Sequence, residues 1–88
     1  MDEQRILEEL LGLLGAGNVK IRREPLGGGG GGFCTVKGEP TLFLDTEASA
    51  GESAAVCAEA VLKTVDIDSI YIRPEVRLFL ESRSRHVT

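Results

Sequence analysis

The chain has 88 residues, a length that fits one compact domain and leaves no room for a second hydrophobic core. Its hydrophobic fraction of 42% and charged fraction of 27% exclude a wholly disordered chain. The net charge of −4 argues against a protein whose main task is to bind nucleic acid. No apolar stretch reaches the length of about 18 residues needed to span a membrane, and the acidic start Met1-Asp2-Glu3 lacks the basic region of a signal peptide. We therefore expect a cytoplasmic protein whose residues 1–88 form a single domain.

The first predicted element is an amphipathic helix that begins at Asp2. Its apolar residues recur at helical spacing: Ile6, Leu7, Leu10, Leu11 and Leu14. The next segment, Val19-Lys20-Ile21-Arg22, alternates apolar and charged residues with period two. This pattern predicts a strand whose buried face carries Val19 and Ile21.

Six consecutive glycines, Gly27 to Gly32, are the most unusual feature of the sequence. They satisfy the pattern G-x-G-x-x-G, but they lead into a predicted strand, whereas a dinucleotide site needs them to lead into a helix. We interpret residues 24–32 as a glycine-rich loop. Two interpretations stay open: a slack connection between strands, and a flap that orders over a small ligand. The candidate residues of such a flap are Gly28, Gly30, Gly32 and Cys34.

The segments Phe33–Lys37 and Thr41–Asp45 predict a β-hairpin around the turn Gly38-Glu39-Pro40. A three-residue loop pairs Val36 with Leu42 and Cys34 with Leu44, which makes one face of the sheet aliphatic. The opposite face then holds Phe33 and Phe43, surrounded by charged side chains that include Lys20, Arg22 and Lys37. An exposed aromatic pair with a charged rim is typical of an association site. The alternative is that a helix covers the two rings and makes them part of the core.

Ser49 and Glu52 have the spacing of a capping box and predict a second helix that ends near Thr64. The short segment Ile70-Tyr71-Ile72 predicts a further strand, and Pro74 suits the first position of a last helix. Residues 83–88 are expected to be a frayed tail. The predicted fold is therefore α+β, with the order α-β-β-β-α-β-α and a small, mainly antiparallel sheet carrying its helices on one face.

Residue types that support catalysis or metal binding are scarce. The two cysteines, Cys34 and Cys57, form neither a disulfide scaffold nor a zinc motif, and His86 is the only histidine. The acidic pairs Asp45 with Glu47 and Asp66 with Asp68 are typical of turns and caps, with a weak cation site as the alternative. We expect no catalytic residue, no metal and no cofactor.

The stretch Val19 to Leu62, with its sequence Gly-Gly-Phe-Cys-Thr-Val-Lys-Gly, resembles a group of small bacterial α/β proteins without assigned activity, and this resemblance implies no function. The order helix, three strands, helix is also similar to the start of zincin-type metallopeptidase domains. There, the helix after the last strand carries His-Glu-x-x-His, and the matching positions here read Ala58-Glu59-Ala60-Val61-Leu62. Both ligand histidines are missing, so this likeness implies a relic scaffold without zinc or hydrolysis.

Two hypotheses about function follow. The first is a non-catalytic protein that forms a homo-oligomer or binds a protein partner through the sheet face with Phe33 and Phe43. The second is a small-ligand or thiol-dependent site at the glycine-rich loop and Cys34. Neither hypothesis includes nucleic acid or a membrane as a partner.

Overall fold

The computed structural model describes residues 2–28 and 31–86, and the side chains of these residues as far as Ser84. Within them the chain forms three helices and a three-stranded mixed sheet, which confirms the predicted α+β class. In chain order the elements are α1 (Glu3–Ala16), β1 (Lys20–Glu24), β2 (Gly31–Val36), β3 (Glu39–Asp45), α2 (Ala50–Thr64) and α3 (Pro74–His86). No helix in the described ranges is long and apolar enough to cross a membrane.

The helices begin where the capping residues indicate. The Asp2 carboxylate accepts a hydrogen bond of 2.9 Å from the backbone N–H of Arg5 and caps α1. The Ser49 hydroxyl accepts a hydrogen bond from the backbone N–H of Glu52, and the Glu52 carboxylate accepts one from Ser49 in return. This capping box confirms the predicted start of α2.

The sheet has the strand order β1-β3-β2, in which β1 is parallel to β3 and β2 is antiparallel to β3. The sheet is therefore mixed, with one parallel and one antiparallel strand pair, where the sequence predicts a mainly antiparallel sheet. After β1 the chain crosses the end of β3, where the backbone N–H groups of Leu26 and Gly27 donate to the carboxylates of Asp45 and Glu47. It then forms β2 on the far side of β3 and returns as the central strand.

The register of the hairpin also differs from the prediction. Lys37 and Gly38 have φ angles of 51° and 81°, the left-handed values of a two-residue type I′ turn. This turn places Phe33 opposite Leu42 and Cys34 opposite Thr41, so the predicted pairs Val36 with Leu42 and Cys34 with Leu44 do not form. The sequence predicts a three-residue turn at residues 38–40. The observed turn has two residues, Lys37 and Gly38, and begins one residue earlier.

All three helices lie on one side of the sheet, as predicted. α1 contacts β1, and α2 contacts β2 and β3. α1 and α2 run parallel, because Glu3 lies against Gly51 at one end and Gly17 lies near Val65 at the other. Within the described residues α3 contacts α1 and α2 but no strand, which places it on the side of this helix pair away from the sheet. The small side chains of Ala54 and Ala58, fully buried in α2, allow this close packing.

Three predicted boundaries need correction. The segment Ile70-Tyr71-Ile72 is not a strand: Ile72 is buried in the core, while Tyr71 is 82% exposed. The predicted tail 83–88 is helical as far as His86. The glycine-rich loop is shorter than 24–32, because Glu24 belongs to β1 and Gly31 and Gly32 belong to β2.

Candidate functional site: the open side of the sheet

The side of the sheet that faces away from the helices is called the outer face. Residues paired directly across two strands share a face, so the register determines which side chains it carries. These residues are Lys20, Arg22, Glu24, Gly32, Cys34, Val36, Glu39, Thr41, Phe43 and Asp45. The described helices pack on the other side, against Leu42 and Leu44, and none of them covers the outer face.

Phe33 lies on the opposite side of the sheet from Phe43. It pairs with Leu42 and packs against the core, whereas Phe43 pairs with Gly32 on the outer face. The predicted aromatic pair therefore does not form. The cause is the two-residue turn, which shifts the pairing by an odd number of residues and so exchanges the faces of β2.

The β1 side of the outer face is a network of charges. The Lys20 ammonium lies 3.3 Å from the Glu39 carboxylate, and the Arg22 guanidinium lies 2.7 Å from the Glu24 carboxylate. The same guanidinium is 5.7 Å from the centre of the Phe43 ring, within the range of a cation–π contact. Arg22 thus covers part of Phe43, which is half-buried although none of the described helices lies over it.

A groove with a volume of about 370 Å³ runs along the outer face near the hairpin turn. It is lined by Lys20, Arg22, Val36, Lys37, Glu39 and Thr41. The structure thus brings together the three cationic residues predicted for a partner-binding surface, and it places Phe43 on the same face. The sequence analysis missed Val36 and Glu39. A glycine after Lys37 was the signal that could have located them, because a left-handed two-residue turn there sets the true register.

The described structure does not bring the four residues of the predicted ligand flap together at one site. Gly28 lies in the loop, whose first residues are bound to Asp45 and Glu47, and Gly30 lies outside the described residues. Gly32 and Cys34 are on the outer face of β2. Cys34 is exposed and lies about 10 Å along the strand from the loop end at Gly31.

The acidic pairs act in turns. Asp45 is 2% exposed, and its Oδ1 atom accepts from the backbone N–H groups of Leu26 at 3.0 Å and Glu47 at 2.9 Å. Asp66 accepts from the backbone N–H of Asp68, and Asp68 lies 3.5 Å from the Arg77 guanidinium. Within the described residues no group of three or more His, Cys, Asp or Glu side chains is placed to hold a metal ion.

The other cysteine, Cys57, has a different environment from Cys34. It is fully buried in α2, and burial raises the pKa of its thiol to about 11, an effect that the positive charge of Arg23 opposes in part. Only part of the helix segment that the zincin likeness aligns is in the core. Ala58 and Val61 are fully buried, and Glu59 is exposed.

A second depression, of about 230 Å³, lies where α1 and α2 begin. Its polar lining includes Gln4, Arg23 and Ser53. Arg23 pairs with Leu44 and therefore belongs to the helix-covered side of the sheet, so this depression is separate from the outer groove.

Comparisons of the chain with protein-family models, with curated proteins and with solved structures found no match. The resemblances stated from the sequence therefore stay predictions.

Proposed function

We propose that this protein is a non-catalytic association module that binds a second copy of itself through the outer side of its sheet. The observation that supports this proposal is the packing of all three helices on one side of a three-stranded sheet. The outer face is left with an apolar part and a charged border, the arrangement expected of an interface.

The apolar part lies on β2 and the centre of β3. Cys34 is exposed, Val36 is 37% exposed, and the half-buried Phe43 lies next to Gly32. The salt bridges formed by Lys20 and Arg22 border this area on the β1 side. Burying the apolar atoms contributes about 25 cal/mol per Å², whereas the bordering charges contribute mainly specificity.

Light scattering from low micromolar to millimolar protein tests the proposal. We expect a mass above that of the monomer for the wild type and a monomer for Val36→Glu, because the new carboxylate would be desolvated in the interface. Leu78→Glu is the control: Leu78 is 65% exposed on α3, which contacts no described strand, so this variant should associate like the wild type.

A wild type that is monomeric at every concentration would refute self-association. Equal loss of association in both variants would show that the outer face is not the contact surface. Far-ultraviolet circular dichroism of each variant confirms that a monomeric mass reflects a folded chain.

A further inference from the structure

The two edge strands of the sheet differ in charge. In β1, four of the five residues are charged: Lys20, Arg22, Arg23 and Glu24. In β2, none of the six residues from Gly31 to Val36 is charged, and none is proline. Edge strands carry unpaired backbone N–H and C=O groups, and charged side chains or prolines usually prevent another strand from adding to them. The edge at β1 is protected in this way, and the edge at β2 is not.

We propose that two copies of the chain pair through their β2 strands, antiparallel about a two-fold axis, to form a six-stranded sheet with the order β1-β3-β2-β2-β3-β1. Within the described residues β2 pairs with β3 on one side and with no strand on the other. The pairing satisfies the free backbone groups of both copies at once and joins their outer faces into one surface. This inference rests on the proposed self-association and narrows its contact to the β2 border of the outer face, where Cys34 and Val36 of one copy lie beside β2 of the other.

The shape of β2 sets the register. Gly31 has a φ of +93°, which is not extended backbone, so the regular part of the strand is Gly32 to Val36. A two-fold axis that pairs all five of these residues must pass beside the central one. Cys34 of each copy therefore lies opposite Cys34 of the other.

Charge favours the antiparallel arrangement. In it, the two Lys37 side chains lie at opposite ends of the paired strands, about 20 Å apart along the strand direction. A parallel pairing in register would instead place the two Lys37 side chains next to each other. Opposite charges across strands stabilise a sheet, and like charges destabilise it.

Disulfide crosslinking between the Cys34 thiols of two copies tests this register directly. Residues directly opposite in an antiparallel pair have Cα atoms about 4.5–5.5 Å apart, inside the range of about 4.4–6.8 Å that a disulfide spans. We therefore treat the protein with the thiol oxidant diamide, at a concentration where light scattering shows the dimer. The buried Cys57 stays in every variant and is shielded from the oxidant.

The matched control is the double variant Cys34→Ser, Val36→Cys. Its thiol has the same face and strand, but in the proposed register it lies opposite Gly32, about 13 Å along the strand from its own counterpart. We expect the wild type to form covalent dimers at least about tenfold faster than this control, because proximity in the dimer gives a high effective concentration. A second control, Cys34→Ser with Thr35→Cys, serves if the first does not fold.

Equal crosslinking rates in wild type and control, with a dimer still present by light scattering, would overturn this pairing and leave the proposed function standing. A wild type that is monomeric at all concentrations would overturn both. A wild type that stays monomeric and forms crosslinks only at the rate expected from random collisions would likewise overturn both proposals.

Discussion

Gly31 differs from the other described glycines of the run in what surrounds it. Its φ is +93°, and a Cβ atom built on it would overlap the backbone carbonyl oxygen of Phe43. Gly27 and Gly28 also have positive φ, but a Cβ there would meet open space, and Gly32 has neither constraint. The close approach of β2 to β3 at Leu44 therefore depends on one glycine.

We predict that Gly31→Ala lowers the free energy of unfolding by about 2–3 kcal/mol, because the side chain forces an unfavourable backbone conformation and separates the strands. Gly32→Ala is the control, and it should change stability by less than about 1 kcal/mol, in the stabilising direction. Urea denaturation followed by circular dichroism measures both. Similar losses in the two variants would contradict the special role of Gly31.

The hairpin between β2 and β3 shows why the strands were harder to predict than the helices. Each helix carries its own signals: the caps at Asp2 and Ser49, and the proline at position 74, each lie at the start of a helix. The register of two strands depends instead on which residues form the turn. Placing the turn at Gly38-Glu39-Pro40 rather than Lys37-Gly38 was enough to put Phe33 on the wrong face.

Lys37 occupies a left-handed position that suits asparagine better than lysine. We predict that Lys37→Asn raises the stability of the monomer by about 0.5 kcal/mol, and that Lys37→Val at the same position lowers it by about 1–2 kcal/mol, because a β-branched residue is strained there. Thermal unfolding at low protein concentration compares the two variants. Equal effects would contradict a type I′ turn.

Within the described residues, the hydrophobic core contains the ionisable thiol of Cys57. Burial raises the pKa of this thiol from about 9 to about 11. Below pH 9 the thiol is protonated in the folded and unfolded chains alike and contributes no pH dependence. As the pH rises above 9, the unfolded chain loses its proton first, so the folded state is progressively destabilised up to about pH 11.

We predict that this effect costs the wild type about 2–3 kcal/mol of stability between pH 9 and pH 11, at about 1.4 kcal/mol per pKa unit. Cys57→Ala, which removes the titrating group, is the comparison that cancels the other residues ionising in this range. The difference in unfolding free energy between wild type and variant should be constant below pH 9 and shift against the wild type above it. A constant difference up to pH 11 would refute the assignment.

The candidate site, like the fold, has one part that could be predicted from the sequence and another part that could not. Lys20 and Arg22 could be assigned to one surface from the sequence, because they alternate along one strand, whereas Lys37 reaches the same groove from the turn. Phe33 could not, since its face depends on pairing with Leu42, nine residues further along the chain. The position of β3 between β1 and β2 could not be predicted from the local sequence either. It depends on hydrogen bonds from the backbone N–H groups of Leu26 and Gly27 to the carboxylates of Asp45 and Glu47.

By itself the sequence determined the α+β class and the three helices with their starts, because caps and hydrophobic periodicity act within a few residues. Only the tertiary structure decided the mixed strand order, the register and the identity of the outer face. These depend on contacts between residues far apart in the chain, and a shift of one residue in such a contact turns every side chain of a strand to the other side.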